Sequence, residues 1–420
     1  MVSIPRKIAR LVAFALIVSS ILLVGVNTGG WNLRAGTKSR VSGDRRLVFS
    51  HKSSKSPQQI VEENYKTLQE ILKKPIHEPK TGNLVRPPSD PNRYDRANAT
   101  MLVLVRNREL GPVVRTIKQI EAKFNQKFHY PYVFLNEEPF TERFKETIQK
   151  HVSGEAFFES IDKAIWEQPK SINLRKQADA MQQLETENVG YAKLVSYHNM
   201  CRYYSVNFYN HPRLQQFRYY WRFEPGTDYY CDLDYDVFKF MQMNEKTYGF
   251  VIALYDVEQS VKTLWPRTLE FLAQHPDYLH PNGAYDFLLE NLQNPHKTLT
   301  ANGYSTCHFW SNFEIADMDF YRSKPYSDWV NFLDSTGGFY YERWGDAPVH
   351  SVGVSLFEDR DKIHWFRDIG YKHQPYTLCS NRPSCAGCKK ADFTYKHLRD
   401  QNCLTNWWNY EMSEDQKNIY

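Results

Sequence analysis

The chain has no Gly-x-Gly-x-x-Gly run, no second Cys-x-x-Cys pair and no helix rich in Lys and Arg. Each absence closes a class of function. Without that glycine run after the first strand there is no dinucleotide-binding turn of the usual kind. Cys385-Ala-Gly-Cys388 stands alone, so a two-pair zinc ribbon is excluded. A net charge of +5 is too mild for the electrostatic footprint of a nucleic-acid binder, and nucleic acid is not expected as a partner. No internal repeat is evident, which sets solenoids aside.

Long apolar runs are equally scarce. Leu11 to Val26 follows Arg6, Lys7 and Arg10 and reads as a transmembrane signal anchor. It is shorter than the ~20 residues of an average span, which suits a thin early-secretory membrane. Ser19, Ser20 and Gly25 keep a cleaved signal peptide open as the rival reading. The basic flank places residues 1–10 in the cytoplasm and everything after residue 26 in the lumen. Seven cysteines suit that oxidising compartment, where disulfides are expected rather than zinc or redox chemistry. An odd count leaves at least one thiol free or paired with another chain. Asn98-Ala-Thr100 is a glycosylation sequon.

Residues 27–95 read as a stem. Asn32 to Ser56 is basic, Ser-rich and poor in apolar residues, so disorder is expected there. Ile60, Val61, Tyr65, Leu68, Ile71 and Leu72 then share one helical face. That helix either stands alone or packs on the body or on a second copy. Pro79, Pro87, Pro88 and Pro91 punctuate a linker to the body, 96–420.

The body opens with Met101-Leu-Val-Leu-Val105, an apolar run of buried-strand type, ending at Arg106 and Asn107. A helix with Val113, Val114, Ile117, Ile120 and Phe124 on one face follows, then a strand at Tyr132–Leu135. A helix N-capped by Thr141 and a strand at Ala156–Phe158 come next. This alternation predicts an α/β fold, a Rossmann-type mixed sheet flanked by helices. Ligands of such sheets bind beyond the carboxyl ends of the strands, where Arg106 stands.

After a strand at Tyr219–Phe223, Glu224 is followed by Asp228, Asp232, Asp234 and Asp236. Carboxylates this dense repel unless a cation sits among them. They are either a solvated acidic turn or the grip on a divalent metal that carries a phosphate. Asp232-Leu-Asp234 has the Asp-x-Asp spacing that glycosyltransferases use for a metal–diphosphate, a weak signal alone.

The segments around it carry more. Tyr197-His-Asn-Met-Cys-Arg-Tyr203, Tyr220-Trp-Arg-Phe-Glu-Pro225, Cys231-Asp-Leu-Asp-Tyr-Asp-Val-Phe238, Cys307-His-Phe-Trp-Ser-Asn-Phe-Glu314, Phe339-Tyr-Tyr-Glu-Arg-Trp-Gly-Asp-Ala-Pro-Val-His350 and Asp368-Ile-Gly-Tyr-Lys-His373 occur in this order. Together they closely resemble the fungal Golgi α-1,2-mannosyltransferases of glycosyltransferase family 15, over roughly Met101 to Tyr376. The resemblance implies a GT-A-like catalytic domain, GDP-mannose as donor, Mn²⁺ as cofactor and a mannose-terminated acceptor (N-linked, O-linked or cell-wall mannan). It also implies retention of configuration and a single-pass type II address in the Golgi membrane. Protein partners that fit this layout are a second copy or other Golgi transferases. Mannosylphosphate transfer, or a non-catalytic mannan-binding role on the same fold, are the alternatives.

Carried over residue by residue, the resemblance makes Glu224 and His373 the metal-site candidates. It makes Glu314 the candidate nucleophile and sets Tyr197 and Asp346 at the reaction centre. Arg106, Arg202, Asp232 and Asp234 are expected on the donor side. Each has a plainer reading. Glu224 can end a strand against Arg222, Glu314 can pair with a core Arg, and His373 can be a surface histidine. Asp346 after Gly345 can cap a helix, and Tyr197 and Arg202 can be packing residues. One departure stands out: similar members often read Glu-Pro-Asp where this chain has Glu224-Pro225-Gly226. Any role of that Asp is then lost or moved to Asp228 or Asp232.

Overall fold

The computed structural model describes residues 55–296 and 300–420. The expected cytoplasmic tail, the anchor and the basic half of the stem lie outside the described residues. Among the described residues no helix is long and apolar enough to cross a membrane.

The first apolar run forms β1 (Ala99–Leu104), and the next two form β2 (Tyr132–Asn136) and β3 (Ala156–Ser160). They pair in parallel, joined by the helices Leu110–Lys123 and Glu142–Gln149, the second capped by Thr141 as expected. β4 (Tyr219–Arg222) lies parallel to β1 on its other side. The short β5 (Asp228–Tyr229) leaves this sheet.

The apolar run at Tyr248 to Leu254 reads as one strand but forms two. β6 (Tyr248–Phe250) stays in the main sheet, while β7 (Ala253–Tyr255) pairs with β8 (Cys307–Phe309). β9 (Glu314–Asp317) runs antiparallel between β4 and β6, and β10 (Ile363–Trp365) closes the edge beside β6. The main sheet is therefore seven strands in the order β10-β6-β9-β4-β1-β2-β3, mixed in direction. β11 (Tyr371–His373) and β12 (Tyr376–Leu378) join β5 in a small antiparallel sheet. The architecture is a mixed α/β fold with a central sheet flanked by helices.

The amphipathic helix of the stem is part of this body. Pro57–Lys73 buries Ile60, Leu68, Ile71 and Leu72, and the last three belong to the main hydrophobic core. The Asn64 amide donates to the Gln293 carbonyl at 2.8 Å. Each buried aliphatic side chain is worth about 1.5–3 kcal/mol, so packing, unlike the expected boundary at 95, begins with this helix.

Three disulfides pair Cys231 with Cys385, Cys307 with Cys403 and Cys379 with Cys388, and Cys201 is a buried free thiol. The two sulfurs of the Cys-x-x-Cys motif thus go to different partners. The first two pairs tie the tail back to the segment after β5 and to β8, and the third closes a short loop within the tail.

Candidate active site

β4 is the backbone of the site. All four of its residues are buried, because β1 and β9 cover both its edges. The antiparallel register sets Arg222 of β4 directly opposite Glu314 of β9. A guanidinium and a carboxylate are thereby placed side by side by strand pairing alone.

Past β4, Glu224-Pro225-Gly226-Thr227 makes a tight turn, with the Thr227 hydroxyl donating to the Glu224 carbonyl at 2.8 Å. Gly226 has φ +87°, the third position of a turn that favours glycine. A Cβ built at 226 would meet the Arg115 guanidinium at 3.6 Å and nothing nearer. The turn aims Glu224 back at Arg222, whose Nη2 donates to Oε1 at 2.8 Å. It then leads into β5, which pairs with β11 and so brings up His373. His373 Nε2 lies 3.7 Å from Glu224 Oε2.

Arg222 is the hub. Its Nη1 donates to Asp346 Oδ2 at 2.5 Å and stands 3.7 Å from Glu314 Oε1. Its plane covers the Tyr204 ring at 3.6 Å. Asp346 also accepts from the Ser311 hydroxyl at 2.7 Å. Burial alone would push the Asp346 carboxyl up, but Arg222 and His350 hold it below the ordinary carboxylate range. Asp346 does not cap its helix, contrary to the capping reading. The cap is Gly345, and Asp346 is the first helical residue, with its carboxylate turned to Arg222 and Ser311. An acid in the first turn also suits the helix dipole.

A cleft of about 280 Å³ opens beyond the carboxyl ends of β1 and β2. Arg106, Glu137, Tyr191, Tyr197, Tyr204 and Glu224 are among its walls. Arg106 pairs with Glu137 at 3.2 Å. Tyr197 stacks on Tyr191 with ring centres 4.6 Å apart, and burial pushes its phenol well above the ordinary value. At neutral pH Tyr197 is therefore a donor, never a base.

Six of the nine residues expected from sequence converge on this region. Arg106, Tyr197 and Glu224 line the cleft, His373 faces Glu224, and Glu314 and Asp346 reach it through Arg222. Glu314 is fully buried and is not a wall of the cleft. A nucleophile must touch the reacting carbon, so this placement does not suit the expected nucleophile.

Three do not converge. Arg202 is tied in a two-pronged pair to Asp334 at 2.7 and 2.9 Å, the packing role held open for it. Asp232 and Asp234 share Lys127 at 3.0 and 2.8 Å. They belong to the far end of the helix Leu110–Lys123, where the Leu233 amide donates to the Lys123 carbonyl. Glu109, at the near end, lines the cleft. Fourteen helical residues separate the two ends by about 20 Å, so the Asp pair cannot support a diphosphate in the cleft. Asp228 accepts from Gln119 at 2.9 Å, and Asp236 caps the helix Val237–Met243.

Sequence reasoning missed His350 and Tyr248, both hydrogen-bonded to Glu314. His350 lies four residues after Asp346 on one helix, a spacing that puts both on the same face. That signal was readable. Tyr248 had none, because only strand pairing brings it to Glu314.

Glu224 and His373 suit a divalent metal. The Nδ1 of His373 lies 3.2 Å from the Gln374 carbonyl, which only accepts. In the tautomer with its hydrogen at Nδ1, the ring presents its Nε2 lone pair on the side of Glu224 Oε2, and an oxygen–imidazole donor set of this kind suits Mn²⁺. Among the described residues no group of three or more His, Cys, Asp or Glu could hold a metal ion. A two-ligand site of this kind leaves positions for water and substrate phosphates.

The model of the glycolipid 2-alpha-mannosyltransferase family matches residues 58–412. The probable mannosyltransferase KTR4 of Saccharomyces cerevisiae is 46% identical over 377 residues, covering 88% of this chain and 81% of that one. The glycolipid 2-alpha-mannosyltransferase of the same yeast is 44% identical over 315 residues, covering 74% and 69%. Among solved structures, S. cerevisiae Ktr4p in complex with GDP is similar with a TM-score of 0.85 and 46% identity, over 88% of this chain and 95% of that one. Core-mannan synthase A from Aspergillus fumigatus, in its Mn/GDP form, is similar with a TM-score of 0.78 and 44% identity, over 81% and 93%.

Proposed function

The chain belongs to the glycolipid 2-alpha-mannosyltransferase family, glycosyltransferase family 15, and is a glycosyltransferase; from that premise we propose that it moves mannose from GDP-mannose to the 2-hydroxyl of a mannose-terminated glycan, with retention of configuration. The carrying observation is the facing pair of Glu224 Oε2 and His373 Nε2 beside a cleft at the sheet's carboxyl edge. The fold reads as GT-A-like. We place the enzyme in the Golgi membrane with a catalytic part that takes in the helix Pro57–Lys73 together with residues 96–420, and three disulfides suit that lumenal address.

Glu224 and His373 would hold Mn²⁺, which would supply positive charge to the diphosphate leaving group, so that no protein acid need protonate it. Arg222 holds Glu224 from behind through the contact at 2.8 Å. Arg106, on the wall where β1 ends, would bind the nucleotide's phosphates. The Tyr197 phenol, kept protonated by burial, can donate a hydrogen bond to a substrate oxygen but cannot take the acceptor's proton.

Retention needs either a carboxylate nucleophile with two inversions or attack on the face the leaving group departs from. The burial of Glu314 favours the second. In that route Glu314 supplies fixed negative charge beneath an oxocarbenium-like centre, and the acceptor's proton leaves with the diphosphate oxygen.

Product analysis tests this reading. With GDP-mannose, Mn²⁺ and short α-mannosides, the expected product carries one new α-1,2-linked mannose. An inverted linkage, or no turnover with any mannoside, would contradict it, and mannosylphosphate in the product would transfer support to that alternative.

A further inference from the structure

Glu314 and His350 are both fully buried, and their hydrogen bonds do not balance with one proton between them. His350 Nε2 lies 2.9 Å from the Tyr204 carbonyl oxygen, which can only accept. That nitrogen therefore carries a hydrogen. His350 Nδ1 lies 3.0 Å from Glu314 Oε2, which also accepts the Tyr248 hydroxyl at 2.9 Å. A neutral imidazole has one hydrogen, already used at Nε2; the Tyr321 hydroxyl, 3.4 Å from Nδ1, could donate to a bare lone pair there, but Glu314 Oε2 is the nearer partner at 3.0 Å and a carboxylate oxygen only accepts. A second proton sits on the pair, on the ring or on the carboxyl.

The surroundings decide which. The charged groups around His350 are Glu314 from β9, Asp346 from its own helix and Arg222 from β4. The remaining titratable groups are the phenols of Tyr204, Tyr220, Tyr248, Tyr321 and Tyr326, and burial pushes all of them up, so they stay neutral. Arg222 serves three carboxylates, those of Glu224, Glu314 and Asp346. Glu224 faces the cleft, so the closed interior holds Glu314 and Asp346 against one guanidinium and keeps one negative charge unbalanced. Unpaired charge of that kind is the costly state in a protein interior. A proton on His350 balances a second carboxylate and leaves Glu224 for a metal.

Glu314 Oε1 has no hydrogen-bond partner and is 3.7 Å from Arg222 Nη1. With Oε2 pinned by two donors, Oε1 is the oxygen turned to the hub. We propose that His350 is a positioning residue: as an imidazolium it holds Glu314 in place by a charged hydrogen bond, and through Arg222 it fixes the aim of Glu224.

The proposal rests on the transferase reading only in its rate measurements. Burial alone would lower the His350 value, but the Glu314 carboxylate raises it above the ordinary imidazole range. A group raised in this way contributes fully below about pH 6.5 and loses its contribution as pH rises through the raised value. The loss therefore belongs to the alkaline side.

The test uses the full chain labelled with ¹⁵N-histidine, free of metal and donor. One of its 14 histidines should show both ring nitrogens protonated at about pH 7.5, and that signal should become a neutral tautomer in Glu314→Gln. In turnover, His350→Gln should lower kcat about 10- to 100-fold with KM for GDP-mannose nearly unchanged. On the Glu314→Gln background the same change should add little. A neutral His350 at that pH in the unaltered chain overturns the proposal, as do fully additive rate losses. If the chain transfers no mannose, the function reading fails and the nitrogen signals alone decide this one.

Discussion

Two groups of carboxylates in this molecule make a useful contrast. Asp228, Asp232, Asp234 and Asp236 are crowded into nine residues of chain. Glu224, Glu314 and Asp346 are scattered over more than a hundred. The crowded group disperses on folding, to Gln119, to Lys127 and to a helix cap. The scattered group converges on a single guanidinium, with His350 and His373 at its two ends. Proximity in sequence thus marked charges that fold apart to local partners. Proximity in space marks charges that share one cation and so depend on one another.

The sharpest way to break the contrast is at the hub. Arg222→Met leaves three carboxylates around a buried apolar side chain. Breaking a buried pair from one side costs about 3–5 kcal/mol, so the midpoint of urea unfolding should fall far and transfer should vanish. A fold that tolerates this change would mean the scattered group is no more coupled than the crowded one.

A smaller effect is expected at the edge. His373→Ala should weaken Mn²⁺ binding in the presence of GDP by about 100-fold, read by calorimetry, while thermal stability stays near that of the unaltered chain. An unchanged metal titration would remove His373 from the site and leave Glu224 with only Arg222 for a partner.

Much of the frame was legible beforehand. Apolar runs at Met101 and Tyr132 announced β1 and β2, because buried parallel strands are apolar on both faces; the shorter run at Ala156 announced β3, a half-buried edge strand. The Thr141 cap and the core face of the helix after β1 were equally plain. The insertion of β9 between β4 and β6 was not legible. It pairs strands far apart in the chain, and neither composition nor periodicity encodes the partner. The hub inherits that blindness: Arg222 opposite Glu314 is a fact of register. The resemblance supplied Glu224, Glu314, Asp346 and His373 without their geometry. It did not supply His350, although its spacing from Asp346 was available. The acidic run misled because local charge density records a sequence, whereas ligand geometry records a fold.

The most direct measurement sets the two groups side by side. Mn²⁺-dependent transfer from GDP-mannose to a short α-mannoside is compared in Glu224→Gln and in the double change Asp232→Asn, Asp234→Asn. Glu224→Gln should lose about 10²- to 10³-fold in kcat/KM. The double variant should stay within about twofold, since it removes only partly exposed pairs with Lys127. Near-normal transfer by Glu224→Gln together with collapse of the double variant would contradict the account and return the metal to the acidic run.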